Sequence, residues 1–206
     1  VLLAWIIYTA MYATVGKKYI STAVLQENGL AFGEVGKNAG FRNGDKIVSV
    51  DGNFQENFNR MTMDILFSSE VKVDRNGEIV TLNLTDEQIG EIISKEGRNF
   101  VAARTIGSII DSVAPKSNAE IAGLKKGDSI VTINGKTPRY FDEFTEVVKA
   151  NRNETISLVV LRNNTLDTIT SKVSEEGTIG IIVPQKIKDD FLVTNKMSLR
   201  EAIPAA

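Results

Sequence analysis

The acidic residues of one predicted helix come closest, by type and spacing, to a site that could do chemistry. Apolar residues recur at helical intervals over residues 86–97, and carboxylates are interspersed among them. Carboxylates on one helix face could coordinate a hard metal ion, but such a row is also typical of a solvated helix face. We adopt the second interpretation and assign no metal to this chain. The carboxylates are Asp86, Glu87, Glu91 and Glu96.

The chain contains no histidine and no cysteine. Zinc sites of the His-Glu-x-x-His type, Ser-His-Asp triads and Cys-His dyads are therefore excluded within the 206 residues. Disulfide bonds are excluded for the same reason. We expect no catalytic residue in this sequence, so any catalysis by the protein would use residues outside it.

Composition and charge narrow the possible partners. The sequence has 24 Lys plus Arg against 26 Asp plus Glu, a net charge of −2, and it is 42% hydrophobic. Such a balance gives no broad attraction to nucleic acid, and we expect no nucleic-acid partner. The length suits two domains of about 80 to 90 residues, and the apolar content is sufficient for two cores.

An internal repeat is the strongest signal of fold. Residues 40–52 and 123–135 share the pattern Gly-Φ-x-x-Gly-Asp-x-Ile-Val-x-Φ-Asp/Asn-Gly, in which Φ is apolar. The second glycine suits a turn with positive φ, and the aspartate after it can accept hydrogen bonds from nearby backbone amides. A short buried strand follows, and the closing Asp51-Gly52 or Asn134-Gly135 favours a two-residue hairpin turn.

Further elements recur downstream of each copy. Apolar residues at intervals of three and four predict one helix over residues 58–67 and another over residues 141–150. Arg75-Asn76-Gly77 and Arg162-Asn163-Asn164 predict hairpin turns between two strands. The matching arginines need no catalytic role. The chain is therefore predicted to contain the same small module twice.

Both ends of the sequence suggest membrane segments. Residues 1–15 are apolar or weakly polar and uncharged, and Gly16-Lys17-Lys18 follows them. We interpret them as the trailing part of a transmembrane helix, with a core helix or an amphipathic docking segment as alternatives. At the other end, Ser198 is the predicted N-cap of a short helix that Pro204 ends.

The repeated pattern resembles the core of PDZ domains, most closely the circularly permuted bacterial type. In the second copy the resemblance extends upstream, where residues 109–123 look like that family's strand, Pro-x-Ser-x-Ala turn and short helix. It implies an α+β, mainly β fold of two tandem circularly permuted PDZ domains. Each would be a small, partly open β-barrel or sandwich with one or two short helices.

The resemblance also implies domain boundaries. Residues 1–18 would be a partial transmembrane or membrane-flanking segment, and residues 19–105 the first PDZ domain. Residues 106–186 would be the second PDZ domain. Residues 187–206 would be a linker with a short helix that leads to a further membrane segment.

The order of an apolar segment, two such modules and Glu201-Ala202-Ile203-Pro204 resembles the central region of RseP-type site-2 proteases, which are bacterial intramembrane zinc metalloproteases. The resemblance implies a zinc ion in a catalytic core outside these residues. It also implies a place in the cytoplasmic membrane, with the PDZ domains on the periplasmic or outer face. Serine proteases that carry PDZ domains fit less well, because the sequence has no Gly-x-Ser-Gly-Gly segment.

PDZ domains bind a peptide as an added strand and capture its C-terminal carboxylate with loop amides. In the permuted type, the binding strand follows the body of the module. Gly180 would let amides approach the carboxylate, while an ordinary closing strand is the alternative. In the first copy the glycine is missing. The implied binding segments are Thr178, Ile179, Gly180 and Ile181 in the second copy and Phe100, Val101 and Ala102 in the first.

The pocket for the terminal side chain would be completed by the helix beside each binding strand. Residues of the two predicted helices that could form this wall are Met61, Ile65, Phe144 and Val148. Packing in the core is the alternative role for each of them, because most of an amphipathic helix face must be buried.

The function that follows as an expectation is substrate screening by a membrane-embedded zinc metalloprotease in regulated intramembrane proteolysis. The expected partners are a transmembrane protein substrate or its cleaved hydrophobic C-terminus, and the membrane through flanking helices. Steric exclusion of bulky substrates and carboxylate binding both remain open as mechanisms. The alternative function is a non-enzymatic, membrane-anchored PDZ scaffold or secretion component.

Overall fold

The computed structural model describes residues 17–107, 109–183 and 191–195. These residues divide into two compact units: one takes those up to Ala102 together with residues 191–195, and the other takes those from Ala103 onward. The predicted membrane helix, up to residue 15, and the short helix predicted from Ser198 lie outside the described residues. Across the described ranges, no helix is long and apolar enough to cross a membrane.

The first unit alternates short helices with strands. The elements are β1 (Lys17–Ile20), α1 (Thr22–Leu25), β2 (Leu30–Phe32), α2 (Glu34–Asn38), β3 (Lys46–Val50), α3 (Phe58–Ile65), β4 (Glu70–Arg75), β5 (Glu78–Asn83), α4 (Asp86–Lys95), a 3₁₀ turn (Gly97–Phe100), β6 (Val101–Ala103) and, after the second unit, β12 (Leu192–Asn195). The three-stranded antiparallel sheet has the order β3-β4-β5, while β2 pairs with β6 and β1 pairs with β12.

The elements of the second unit are β7 (Ser112–Val113), α5 (Asn118–Ile121), β8 (Ser129–Ile133), α6 (Phe141–Ala150), β9 (Thr155–Arg162), β10 (Thr165–Lys172) and β11 (Ile181–Ile182). Their order repeats that of the first unit from β2 to β6, without described counterparts of α4 and the 3₁₀ turn. The three-stranded antiparallel sheet has the order β8-β9-β10, and β7 pairs with β11.

The repeat extends to irregularities of the backbone. The register of β3 against β4 shifts between Ile47 and Ser49, and that of β8 against β9 shifts between Ile130 and Thr132. A bulge at the same place in both sheets bends each strand toward the turn that follows. The predicted two-residue turn at Asn134-Gly135 is confirmed, since both residues have positive φ, 48° and 74°.

A buried ion pair closes each copy of the repeated pattern. Asp128 is 1% exposed, and it accepts a hydrogen bond from the backbone N–H of Lys125 (2.8 Å), as the sequence predicted. Arg162 reaches back from the end of β9 and donates to both carboxylate oxygens of Asp128, each at 2.7 Å, and to the carbonyl of Gly123 at 2.8 Å. The matching arginines are therefore structural. The equivalent residues of the first unit are Asp45, Arg42, Arg75 and Gly40.

Each unit has its own apolar core. In the first, Phe32 stacks on Phe41 with ring centroids 4.7 Å apart, and Phe100 packs against both rings. In the second, one cluster joins the helices to the sheet and to the segment before β11. The largest fully buried side chains of that cluster are Ile110, Ile133, Phe144, Ile156 and Leu158.

The predicted acidic helix is confirmed as α4. Thr85 caps it in a reciprocal arrangement with Gln88, and Glu91 pairs with Lys95 at 2.7 Å. Glu96 follows the helix, and one of its carboxylate oxygens accepts from the backbone N–H of Val35. Within the described ranges, no group of three acidic side chains lies close enough to hold a metal ion.

The chain enters and leaves the first unit through one antiparallel ladder. Lys17–Ile20 pair with Leu192–Asn195, and Ser21 donates its backbone N–H to the carbonyl of Phe191 at 2.8 Å. The described part of the segment expected to be a linker with a short helix, 187–206, is therefore largely a strand. A strand forms there because β1 offers it a complete set of backbone partners.

Candidate peptide-binding groove

A tight loop leads into β11. Ser174 and Thr178 close the loop through a backbone hydrogen bond of 2.9 Å, and Gly177 donates its N–H to the carbonyl of Ser174 at 3.0 Å. The N–H of Gly180 then donates to the hydroxyl of Thr178 at 3.2 Å. A ligand carboxylate at this place would replace a hydroxyl as the acceptor of that N–H.

Two features of the structure require a glycine at position 180. Its φ is +89°, which lies in the left-handed region that L side chains rarely adopt. A Cβ on Gly180 would also lie 2.3 Å from the Cβ of Ser117, the N-cap of α5. The Gly180 carbonyl accepts from Ala114 (2.8 Å) and the Ile179 carbonyl accepts from Ala119 (2.8 Å). The turn is therefore held in place before any ligand arrives.

One edge of β11 is available for a further strand. Its other edge pairs with β7, in the register Ile181 opposite Val113 and Ile182 opposite Ser112. Within the part of the chain that the structure describes, no second strand pairs with β11. An unpaired edge of this kind can add an extended peptide through backbone hydrogen bonds.

Helix α6 forms the opposite wall. A Cβ on Gly177 would lie 3.2 Å from the Cα of Lys149 and 2.9 Å from Nε of Arg152, so this side of α6 faces the loop before β11. Residues four apart share one helix stripe, which places Phe141 and Thr145 on the same side as Lys149. Both Phe141 and Thr145 are half-buried. The sequence analysis missed them because periodicity locates the buried face and not its flanks.

The residues that the sequence proposed for the pocket wall lie deeper. Phe144 and Val148 are 2% and 3% exposed and belong to the apolar core together with Ile179. Ile181 is half-buried and packs against that core. Phe144 and Val148 therefore form the floor below the groove, while Ile181 and Phe141 are accessible to a ligand.

The first unit lacks the glycine loop. Phe100 directly precedes β6 as Gly180 directly precedes β11, and none of Phe100, Val101 and Ala102 has a positive φ. Phe100 is fully buried in the aromatic stack, and Ala102 lies within β6. The helix residues Met61 and Ile65 are fully buried. The described residues of this unit thus form no left-handed loop that could take a carboxylate at this place.

Charged groups lie at both ends of α6. Lys149 and Arg152 lie beside the loop at its C-terminal end. At the N-terminal end, Arg104 pairs with Asp142 and lies over the ring of Tyr140. Burial works to lower the pKa of Arg104, but the hydrogen bonds and charge of Asp142 outweigh it and leave the pKa above its ordinary value.

Comparison with known proteins identifies the second unit. Residues 109–162, from just before β7 to the end of β9, match the PDZ domain family. The second unit is therefore a PDZ domain, and the first unit has the same order of elements from β2 to β6, apart from α4 and the 3₁₀ turn. The fold predicted from the sequence, α+β and mainly β with PDZ topology, is confirmed. Among the described strands, the sheets are open and none closes into a barrel.

Two classes of protease are among the relatives. The zinc metalloprotease RasP of Geobacillus kaustophilus is 30% identical over 98 residues, which are 45% of this chain and 23% of that protein. The serine protease HTRA1 of Xenopus laevis is 42% identical over 83 residues, 40% of this chain and 17% of that protein. The predicted resemblance to site-2 proteases is confirmed, and the similarity to a serine protease stands beside it. The chain spans less than a quarter of the length of either relative.

A solved structure is also similar to part of the chain. The PDZ domain of the SdrC-like protein from Listeria monocytogenes is 23% identical, with a TM-score of 0.34. The match covers 37% of this chain and 86% of that one.

Proposed function

We propose that the second unit binds the C-terminal segment of a protein partner as an added strand on the free edge of β11. The observation that carries the proposal is the left-handed conformation of Gly180 at the start of an edge strand, in a loop whose Gly177 approaches α6. The peptide would run antiparallel to β11, with its carboxylate at the Gly180 N–H and its upstream residues toward the first turn of α6. We assign this role to the second unit alone, because none of Phe100, Val101 and Ala102 in the first unit has a positive φ.

The lining of the groove favours a hydrophobic terminal residue. Ile181 and Phe141 are apolar and half-buried, above a floor that contains Phe144 and Val148. Burial of an apolar side chain there contributes about 25 cal/mol of binding free energy per Å² of apolar surface removed from water. Lys149 and Arg152 add positive charge near the carboxylate.

The test uses the full chain and a labelled ten-residue peptide that ends in valine with a free carboxylate. The control peptide is identical but amidated at its C-terminus. Thr145→Glu places a bulky negative charge on the groove side of α6, and Thr168→Glu makes the same exchange at an exposed position of β10. Fluorescence anisotropy should show saturable binding that is lost on amidation and in Thr145→Glu and is kept in Thr168→Glu. Equal binding of both peptides would overturn the proposal.

We further propose that the two units are the substrate-screening region of a membrane-embedded zinc metalloprotease that acts in regulated intramembrane proteolysis. The similarity to RasP supports this assignment. The zinc would be held outside these residues, which contain no histidine or cysteine. The protein would lie in the cytoplasmic membrane through flanking helices, with the PDZ modules on the outer face. Its partner would be a transmembrane substrate or the hydrophobic C-terminus that an earlier cleavage leaves.

The similarity to a serine protease supports a second candidate, in which the same groove serves a protease of that class. A non-enzymatic membrane-anchored scaffold would need the groove alone. The sequence of the complete protein would distinguish these three candidate functions. A His-Glu-x-x-His motif in an apolar helix ahead of these residues is expected for the metalloprotease, and its absence from the complete protein would refute that assignment.

A further inference from the structure

In both units, a segment ahead of the module's sheet contacts the N-cap of the equivalent helix, which is α3 in the first unit and α6 in the second. Ser21 forms an antiparallel bridge with Asn57, the N-cap of α3, and Ile106 forms one with Tyr140, the N-cap of α6. The two N-caps are equivalent positions of the repeat. The docking is therefore a repeated feature of the fold, although the entering segments share no obvious sequence pattern.

In the second unit, residues 104–107 form a strap across the N-terminus of α6. The carbonyl of Thr105 accepts from the backbone N–H of Phe141 at 2.9 Å, and Gly107 donates its N–H to the carbonyl of Arg139 at 3.0 Å. The N–H of Phe141 belongs to the first turn of α6, where the helix itself supplies no acceptor. The strap therefore completes the first turn of the groove helix.

Arg104 fastens the strap through its side chain. Its Nε donates to the carboxylate of Asp142 at 3.1 Å, and its Nη2 donates to the same carboxylate at 2.8 Å. Its guanidinium lies 3.8 Å from the centroid of the Tyr140 ring, and Glu143 accepts a further hydrogen bond at 3.2 Å. Only 11% of the Arg104 side chain and 10% of the Asp142 side chain are exposed. Fork-shaped, partly desolvated pairs of this kind fix geometry more firmly than exposed ion pairs do.

The two ends of α6 are thus held by different contacts. At the C-terminal end, Lys149 approaches Gly177 of the loop before β11. At the N-terminal end, the strap holds Tyr140 and the first turn. The strap therefore acts on the end of α6 that lies away from the carboxylate loop.

We propose that Arg104 is a positioning residue of the peptide groove, which acts through the strap to set where the first turn of α6 lies against β11. Arg104 then determines how strongly the groove holds the peptide residues upstream of the terminal carboxylate. This inference rests on the proposed peptide-binding function and specifies how its specificity is set. Arg104 directly follows β6 and is the second residue of the second unit.

The test measures affinities of the full chain for two peptides that share a free C-terminus, one of three residues and one of ten. Arg104→Met should lower the affinity for the ten-residue peptide about five- to tenfold and change the affinity for the three-residue peptide by less than about twofold. This difference is expected for a coupling that acts away from the carboxylate. The affinity of Arg104→Lys for the ten-residue peptide should lie between those of wild type and Arg104→Met, since lysine keeps the positive charge but cannot form the forked pair of hydrogen bonds. Lys126→Met removes an exposed ion pair with Asp111 in the same unit and is the matched control.

A second measurement does not depend on the peptide. Hydrogen exchange at the N–H of Phe141 should be faster in Arg104→Met than in wild type, while exchange in β9 stays unchanged and shows that the unit is folded. Unchanged exchange at Phe141, or equal weakening of both peptides, would overturn the inference and leave the proposed function standing. A wild-type chain that binds neither peptide would overturn the proposed function, and the inference with it.

Discussion

Arg162 and Asp128 form a fork-to-fork ion pair in which both hydrogen bonds measure 2.7 Å. The pair joins the end of β9 to the turn before β8, so it ties the central hairpin of the second unit to the start of its sheet. Asp128 is 1% exposed and Arg162 is 23% exposed, which makes the carboxylate the more desolvated partner.

Arg162→Met should destabilise the second unit by about 2 to 3 kcal/mol, because it leaves a buried carboxylate without its charged donor. The change in the free energy of unfolding is measured by urea denaturation. Hydrogen exchange in β8 and β9 then shows whether the loss lies in the second unit. Lys126→Met, which removes a surface pair, should cost no more than about 1 kcal/mol. Equal losses for the two variants would contradict the structural role of Arg162.

The stability of the second unit should fall at acid pH through Asp128. The hydrogen bonds from Arg162 lower the pKa of Asp128 below its ordinary value. A carboxyl whose folded-state pKa is depressed stabilises the fold above its unfolded pKa, about 3.9, and loses that contribution as pH falls toward the folded value. The unfolding free energy of Asp128→Asn should therefore vary less with pH than that of wild type below about pH 4. Parallel profiles would refute this assignment.

Gly180→Ala should be more damaging than Gly135→Ala, although both glycines have positive φ. An alanine Cβ at Gly180 would meet Ser117 at 2.3 Å, whereas a Cβ at Gly135 would find nothing within 4 Å. Gly135→Ala should cost about 1 kcal/mol from backbone strain alone, and Gly180→Ala should cost about 1 to 3 kcal/mol more from overpacking. Thermal unfolding of the two variants gives the comparison. Equal melting temperatures would show that the loop yields to the added methyl group.

Several elements of the fold could be predicted from residue patterns alone. Helix α6 was predicted with the bounds that the structure shows, and α3 ends two residues earlier than predicted, at Ile65. Phe67, which the sequence pattern places in α3, lies beyond the end of the helix and is 78% exposed. The hairpin turn at Asn134-Gly135 was predictable because few residue pairs tolerate its backbone.

Other features could not be predicted, since they depend on contacts between distant parts of the chain. The strand Leu192–Asn195 forms because Lys17–Ile20 offers it a free edge, and nothing in its own residues specifies that partner. The strap is held by backbone hydrogen bonds and by Arg104, whose partner Asp142 lies 38 residues further along the chain, so no local pattern of residues predicts it. The groove side of α6, with Phe141 and Thr145, became apparent only from the approach of Gly177 to Lys149.

Positive charge beside the loop should contribute to carboxylate recognition. Arg152→Gln should lower the affinity for a peptide with a free carboxylate about two- to fivefold at low salt. The effect should be smaller at high salt, because dissolved ions screen the charges. An amidated peptide should show no such change. Lys172→Gln, an exposed position on β10, is the matched control for the loss of one positive charge. An equal effect of both variants would indicate a general influence of net charge.

We propose that one unit of this chain captures a peptide carboxylate and that the other does not. Isothermal titration of the full chain with the ten-residue free-carboxylate peptide distinguishes the two units, because the stoichiometry counts the competent grooves. We expect one peptide per chain, with no measurable binding after amidation. Two peptides per chain would contradict the assignment to the second unit alone, and equal affinity for the amidated peptide would contradict carboxylate capture itself.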